Sequence, residues 1–397
     1  LLNQIKLFNK LKNKDTLILL GLFIGSIVAL YKLPQFLNQI WFWGLLFLFF
    51  REKSQKNHLW LVFFWLLFSA PGYLFYELGI YHLPSISVPG MDREIYYNEI
   101  FAIVTILKAL VFPLKQEVFY KKPLIVLICF SILLLLQGFF LGSSILTILK
   151  SIRYFIPLLL LFFIPKLVPY SLVPRTIALM FTTVFILVAA QLFDLLMGFP
   201  FAVILGETQL MFSGREVSTD SSVFDVTAVA VRTVYGPFIL LLSLICSLAL
   251  LVKKNSYFKN NYLVLISILS AYSIFMSATR GWITAVVFIL GVYAIIDFKK
   301  ISKIVLMGVM LLIVAFSVPK VNMQIFQAFE RTLTIGSLAE GDLTAGGTLS
   351  RLTERGPRVM NKFYERPVFG FGFSDEFYKY QDGHVGNQNL LLNGGIV

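Results

Sequence analysis

Long apolar runs without two-residue alternation dominate this chain. Such runs predict helices immersed in lipid. A hydrocarbon core of about 30 Å takes roughly 20 helical residues, and a helix satisfies its own backbone there. Marking the runs predicts spans at 16–31, 35–50, 58–77, 97–113, 123–141, 154–170, 176–197, 226–252, 262–279, 281–297 and 303–319, with another beginning near 387. Pro157 and Pro165 interrupt the sixth. The predicted fold class is an all-α polytopic membrane protein with about 12 transmembrane helices and a long extracytoplasmic helical loop before the last. A single domain, 1–397, contains that loop, 320–386, as an insertion.

Within the loop, Thr348–Arg355 and Pro357–Glu365 read as short helices, and Pro357 suits a first helical position. On the second, Val359 and Phe363 share one face while Arg358 and Lys362 share another. This is an amphipathic helix, able to lie on a membrane surface or to cover the bundle.

Composition sharpens the picture. Hydrophobic residues make up 58% of the 397 and charged residues only 14%, against about 45–50% and about 25% in soluble domains. That excludes a cytosolic enzyme, a disordered tail and a disulfide-stapled secreted domain. The net charge of +13 does not imply nucleic acid, because basic residues of membrane proteins gather at cytoplasmic helix ends. Here they gather on alternate connections, such as Lys10, Lys12 and Lys14, Arg51, Lys53 and Lys56, and Lys299, Lys300 and Lys303. This places the N-terminus in the cytoplasm. Cys129 and Cys246 lie in apolar runs and read as packing residues. His58, His82 and His384 lack zinc-site spacing, so neither metal nor cofactor is expected.

The long loop breaks the charge rule with Lys320, Arg331, Arg351, Arg355, Arg358, Lys362, Arg366 and Lys379 on the outer side. Either these form a solvated face, or guanidinium forks there bind an anion. Arg232 (in VAVRTVYGP) and Arg280 (in SATRGW) lie near outer span ends, and Arg215 (in FSGREVSTD) on another outer loop. Snorkelling accounts for Arg232 and Arg280 singly. Their common side predicts a shared anion site. Lys108 lies in the cytoplasmic half of its span, where it would snorkel inward. His384, just before the final run, is either a surface residue or a group that takes a proton from a hydroxyl. Glu354, Asp342, Asp375 and Glu376 are rival bases.

The stretch SRLTERGPRVMNKFYERPVFGFGF resembles the signature of the O-antigen ligase and polymerase superfamily of bacterial membrane proteins. Arg351, Pro367, Gly370 and Gly372 carry that resemblance, followed by His384 and Gly395. Val385 stands where the family usually has Asn, with Asn387 and Asn389 nearby. SATRGW resembles a second family element and places Arg280. The resemblance covers about residues 225–397.

It implies a metal-independent transferase with a GT-C-like bundle in the bacterial plasma (inner) membrane, active on the periplasmic face. The implied donor is an undecaprenyl-diphosphate-linked glycan. The implied acceptor is a second glycan, a lipid A core or a protein. Arg215, Arg232, Arg280, Arg351 and Arg355 would hold the diphosphate, with Arg280, Arg351 and His384 at the reaction itself. Single displacement would invert the anomeric carbon. Partners are then glycan and membrane lipid, with no nucleic acid. The alternative from another class is a transporter of small anions such as bicarbonate.

Overall fold

The computed structural model describes residues 2–52, 54–68, 85–86, 95–152, 155–197, 209–212, 215–218, 236–253, 257–277, 280–319, 321–322, 324–326, 328–329, 351–383 and 385–396. Its helices are α1 (Leu2–Lys32), α2 (Gln35–Arg51), α3 (Asn57–Phe68), α4 (Tyr97–Val111), α5 (Lys121–Phe140), α6 (Ile145–Ile152), α7 (Ile156–Phe163) and α8 (Val173–Met197). They continue with α9 (Pro237–Val252), α10 (Asn260–Met276), α11 (Arg280–Ile296), α12 (Phe298–Ala315), α13 (Gly356–Phe363), α14 (Asp375–Tyr380) and α15 (Gly386–Gly394). The body of the fold is helical, as the apolar runs predict. Two short antiparallel ribbons are added to it. Ser85–Ile86 pairs with Ile95–Tyr96, and Gln209–Phe212 with Arg215–Ser218.

Among the described residues, α5 and the run Tyr170–Phe193 are long and apolar enough to cross a membrane, and α2, α3 and α9 to α11 carry shorter apolar stretches. Expected spans 58–77 and 226–252 fall partly on residues outside the described set. α9 begins at Pro237: Gly236 before it adopts a left-handed φ of 55°, and Pro237 takes the first helical turn. Expected span 154–170 is replaced by the short α7 and a 3-10 turn at Ile164–Lys166, with Pro165 in that turn. Carbonyls freed by this break are met from the preceding connection. Gln116 Nε2 donates to Pro165 O and Val168 O, and Leu114 N donates to Lys166 O. α6, an extra helix, occupies an expected outer connection.

Contacts divide the chain into two compact units. The first comprises Leu1–Pro84 and Tyr170–Thr332. At its centre α9 and α10 form a hairpin whose seam is serine-rich, with Ser243, Ser247, Ser267, Ser270 and Ser273 buried. Small residues let helix backbones approach closely in lipid. Ser247 Oγ lies 2.7 Å from Ser267 Oγ. Gln191 on α8 closes a reciprocal buried pair, donating to Ser273 O while Ser273 Oγ donates to Gln191 Oε1 at 2.6 Å. His58 is buried against Asp15 at 3.1 Å.

The second unit comprises Ser85–Pro169 and Leu333–Val397. The C-terminal segment thus packs with α4 to α7. Lys108 on α4 is 1% exposed, so it is enclosed rather than snorkelling. Cys129 on α5 is exposed rather than packed, while Cys246 in the first unit is half-buried.

Candidate functional site

A five-residue π turn, Arg351–Arg355, leads into α13, with Pro357 in its first turn. Val359 and Phe363, one helical turn apart, are buried with Phe371, Phe377, Val385 and Leu392. This burial fixes the roll of α13: its apolar face is used by the protein core, so the helix covers its unit. Arg355, at the end of the π turn, and Arg358, on α13, line an open cleft of about 540 Å³ together with Glu354, Gln381, Asp382 and Gly383.

Asp382 lies between the two guanidinium groups. Arg358 Nη2 donates to Asp382 Oδ2 at 3.2 Å, and Arg355 Nη1 stands 3.8 Å from Oδ1. The carboxylate is 13% exposed, whereas the arginine side chains are 39% and 53% exposed. Asn389 on α15 fixes the Asp382 peptide at both ends. Asp382 N donates to Asn389 Oδ1 at 3.0 Å, and Asn389 Nδ2 donates to Asp382 O at 2.7 Å. Each guanidinium carries five N–H donors, far more than one carboxylate uses. The lining holds two arginines and two acids and is formally neutral. An entering anion therefore competes with Asp382 for the exposed donors.

After α13 the chain continues into the segment PVFGFGF, residues 367–373. Gly370 and Gly372 adopt φ of 64° and 55°, the left-handed region that favours glycine. A Cβ on Gly370 would lie 2.4 Å from Asn393 O, and one on Gly372 would lie 2.5 Å from Leu134 O. On α5, a Cβ at Gly138 would meet Phe373 O at 2.5 Å. The segment is thus wedged, backbone against backbone, between α5 and the end of α15. Asp375 ties it further: Thr147 Oγ1 and Ser144 N donate to its carboxylate, and Asp375 N donates to Ser143 Oγ.

Lys362 donates to Glu365 at 2.7 Å and to Glu376 at 2.8 Å, and its ammonium stands over the Phe371 and Tyr380 rings. The hydrogen bonds to Glu365 and Glu376 raise the Lys362 pKa, and the Lys362 hydrogen bond lowers that of Glu376. A carboxylate depressed in the fold stabilises it above the ordinary carboxylate range, and that support is lost as pH falls through the lowered value. A lysine raised in the fold stabilises it below its ordinary value, and that support is lost as pH rises through the raised one. Glu376→Gln should therefore lower the thermal midpoint slightly at neutral pH. The difference from wild type should vanish in acid below the lowered Glu376 value. A constant difference across that range, in melts from pH 3 to 8, would reject this coupling.

The sequence-predicted residues fall as follows. Arg355 lines the cleft. Arg351 opens the π turn of the same unit. Arg280 starts α11 and Arg215 starts the last ribbon strand, both in the first unit. Arg232 and His384 lie outside the described residues, although Gly383, the residue before His384, lines the cleft. Of the rival bases, Glu354 lines the cleft, Asp375 and Glu376 are held by the bonds above, and Asp342 lies outside the described residues. Asp382 is not among the residues the sequence singles out. Its Asp-Gly turn before His384 is the one signal that could have marked it.

Residues 265–391 match the family model described as O-antigen ligase. This is narrower than the expected 225–397 and includes Arg280, Arg351, Arg355 and His384. No curated protein and no solved structure gives a match.

Proposed function

Residues 265–391 are similar to O-antigen ligases, and from that premise we propose that this chain is a membrane glycosyltransferase moving a glycan from undecaprenyl diphosphate to an acceptor. The carrying observation is the cleft inside that segment, where exposed Arg355 and Arg358 face a pocket whose rim ends at Gly383, next in sequence to His384. Guanidinium groups suit a diphosphate because each donates parallel hydrogen bonds to oxygen.

In the proposed reaction the acceptor hydroxyl oxygen bonds to the anomeric carbon. The carbon–oxygen bond to the diphosphate breaks, and undecaprenyl diphosphate leaves with the electron pair. His384 takes the hydroxyl proton. Arg351 and Arg355 stabilise charge growing on the leaving group, as preorganised cations do. Single displacement inverts the anomeric configuration. Arg215, Arg232 and Arg280 stay candidates for the diphosphate on the sequence grounds given above.

The proposed setting is the bacterial plasma membrane, crossed by about 12 helices as one domain with the N-terminus inside. The 320–386 loop then lies outside. Packing supports this orientation. The segment 369–375 docks on the C-terminal part of α5, the end that the charge bias assigns to the outer face.

The test supplies purified protein with undecaprenyl-diphosphate oligosaccharide, with and without a lipid A core. A ladder of longer lipid-linked chains from donor alone means a polymerase. Donor consumed only with the core means a ligase. Arg355→Ala should cost roughly 10²-fold in turnover. No transfer to either acceptor, or anion flux into proteoliposomes without transfer, would overturn the reading. So would a retained anomeric configuration, for the displacement step.

A further inference from the structure

The residues that follow α13 turn a second apolar surface outward. Tyr364, Val368 and Phe369 are 66%, 49% and 66% exposed, and Arg366 is exposed among them. α5 exposes Leu133, Leu136, Phe139 and Phe140. These two surfaces are continuous, because Gln137 Nε2 donates to Phe369 O at 2.7 Å and to Gly370 O at 2.8 Å.

Depth follows from the same bonds. α5 has 20 residues and rises about 30 Å, the thickness of a hydrocarbon core. Gln137 lies about 5 Å below its Phe140 end, and Leu134, which accepts from Phe373 N, lies about 9 Å below. Irregular backbone at such depth is tolerated only where protein meets its polar groups. Here it does so. Gly370 N donates to Arg366 O, Phe371 N to Leu392 O, and Gly372 N to Asn393 O. Gly370, Phe371 and Gly372 are themselves buried.

We propose that residues 364–373 form a re-entrant loop seated in the outer leaflet of the bilayer. Val368 and Phe369 enter the acyl chains. Tyr364 and Arg366 sit at the headgroups, the level at which aromatic and basic side chains anchor membrane proteins. The occupant of this surface is phospholipid. Its apolar residues continue the outward face of a span-length helix, and the exposed charges beside them, Glu365 and Arg366, fall at the headgroup level. The choice of leaflet rests on the orientation proposed above; the seating of the loop in lipid is independent of what the chain transfers.

The test uses the full chain in phosphatidylcholine–phosphatidylglycerol vesicles. With Cys129→Ser and Cys246→Ser as background, a nitroxide is attached at Phe369→Cys or, for comparison, at the exposed Lys379→Cys. Oxygen should collide with the label at 369 more often than a water-soluble nickel chelate does, and less often at 379. In parallel, a lipid-phase carbene probe applied to the unsubstituted protein should modify residues 364–369. Nickel-accessible labels at 369 would overturn the proposal. So would exclusion of both quenchers, which means that protein covers the loop, or absence of carbene modification there.

Discussion

Gly372→Ala should prevent the second unit from reaching its native packing. The left-handed φ of 55° at this position costs a non-glycine residue about 1–3 kcal/mol. The added Cβ would stand 2.5 Å from Leu134 O and 3.0 Å from both Gln137 Cβ and Gly138 N. Those atoms belong to a helix, and overpacking against atoms that cannot swing aside costs about 1–3 kcal/mol more. Together these are a large share of the roughly 5–15 kcal/mol that holds a domain folded. The segment has nowhere to retreat, because Gly370 is equally tight against Asn393 and Gly395 on its other side. Gly386→Ala is the matched control, since a Cβ there meets nothing within 4 Å. Thermal melts of the solubilised protein should show a collapsed or strongly lowered transition for Gly372→Ala and an unchanged one for Gly386→Ala. Equal midpoints would dismiss the close-packing account.

His384→Ala should lower turnover by about 10²–10⁴-fold, the usual worth of a positioned general base, with little change in the donor's KM. The expectation joins two observations. Gly383 lines the cleft, and the same cleft carries Arg355, one of the arginines assigned to the leaving diphosphate. Loss of donor binding would instead appear as a raised KM with turnover unchanged. Glu354 borders the same cleft and is the rival proton acceptor. Glu354→Gln should leave turnover nearly intact. If Glu354→Gln abolishes transfer while His384→Ala does not, the roles are reversed. Both variants should be compared at equal amounts of folded protein, so that a loss of turnover is not a loss of fold.

Apolar runs announce the helices well, because periodicity and Pro or Gly breaks are local properties. The helix at Lys121–Phe140 departs from the expected 123–141 by a residue or two. The core face of α13 is legible from Val359 and Phe363 for the same reason. What the runs do not distinguish is lipid-facing from protein-facing positions, since both are apolar. Cys129 reads as a packing residue and faces outward, and Lys108 reads as reaching a surface and is enclosed. Asp382 is hidden for another reason. Its partner Arg358 lies 24 residues away, and no local pattern records a pairing at that distance. The break at Pro165 is written in the sequence, but its effect on helix length depends on how neighbouring segments meet the freed backbone.

The wedged glycines have an implication for reading kinship. Their spacing is dictated by the closeness of two main chains, and no reacting atom enters into it. A chain that keeps this signature therefore advertises a shared scaffold, and could keep it after losing or exchanging its chemistry. Membership inferred from the glycine doublet and catalytic competence inferred from the arginine-bearing rim are separate properties, and a homologue can satisfy the first while failing the second.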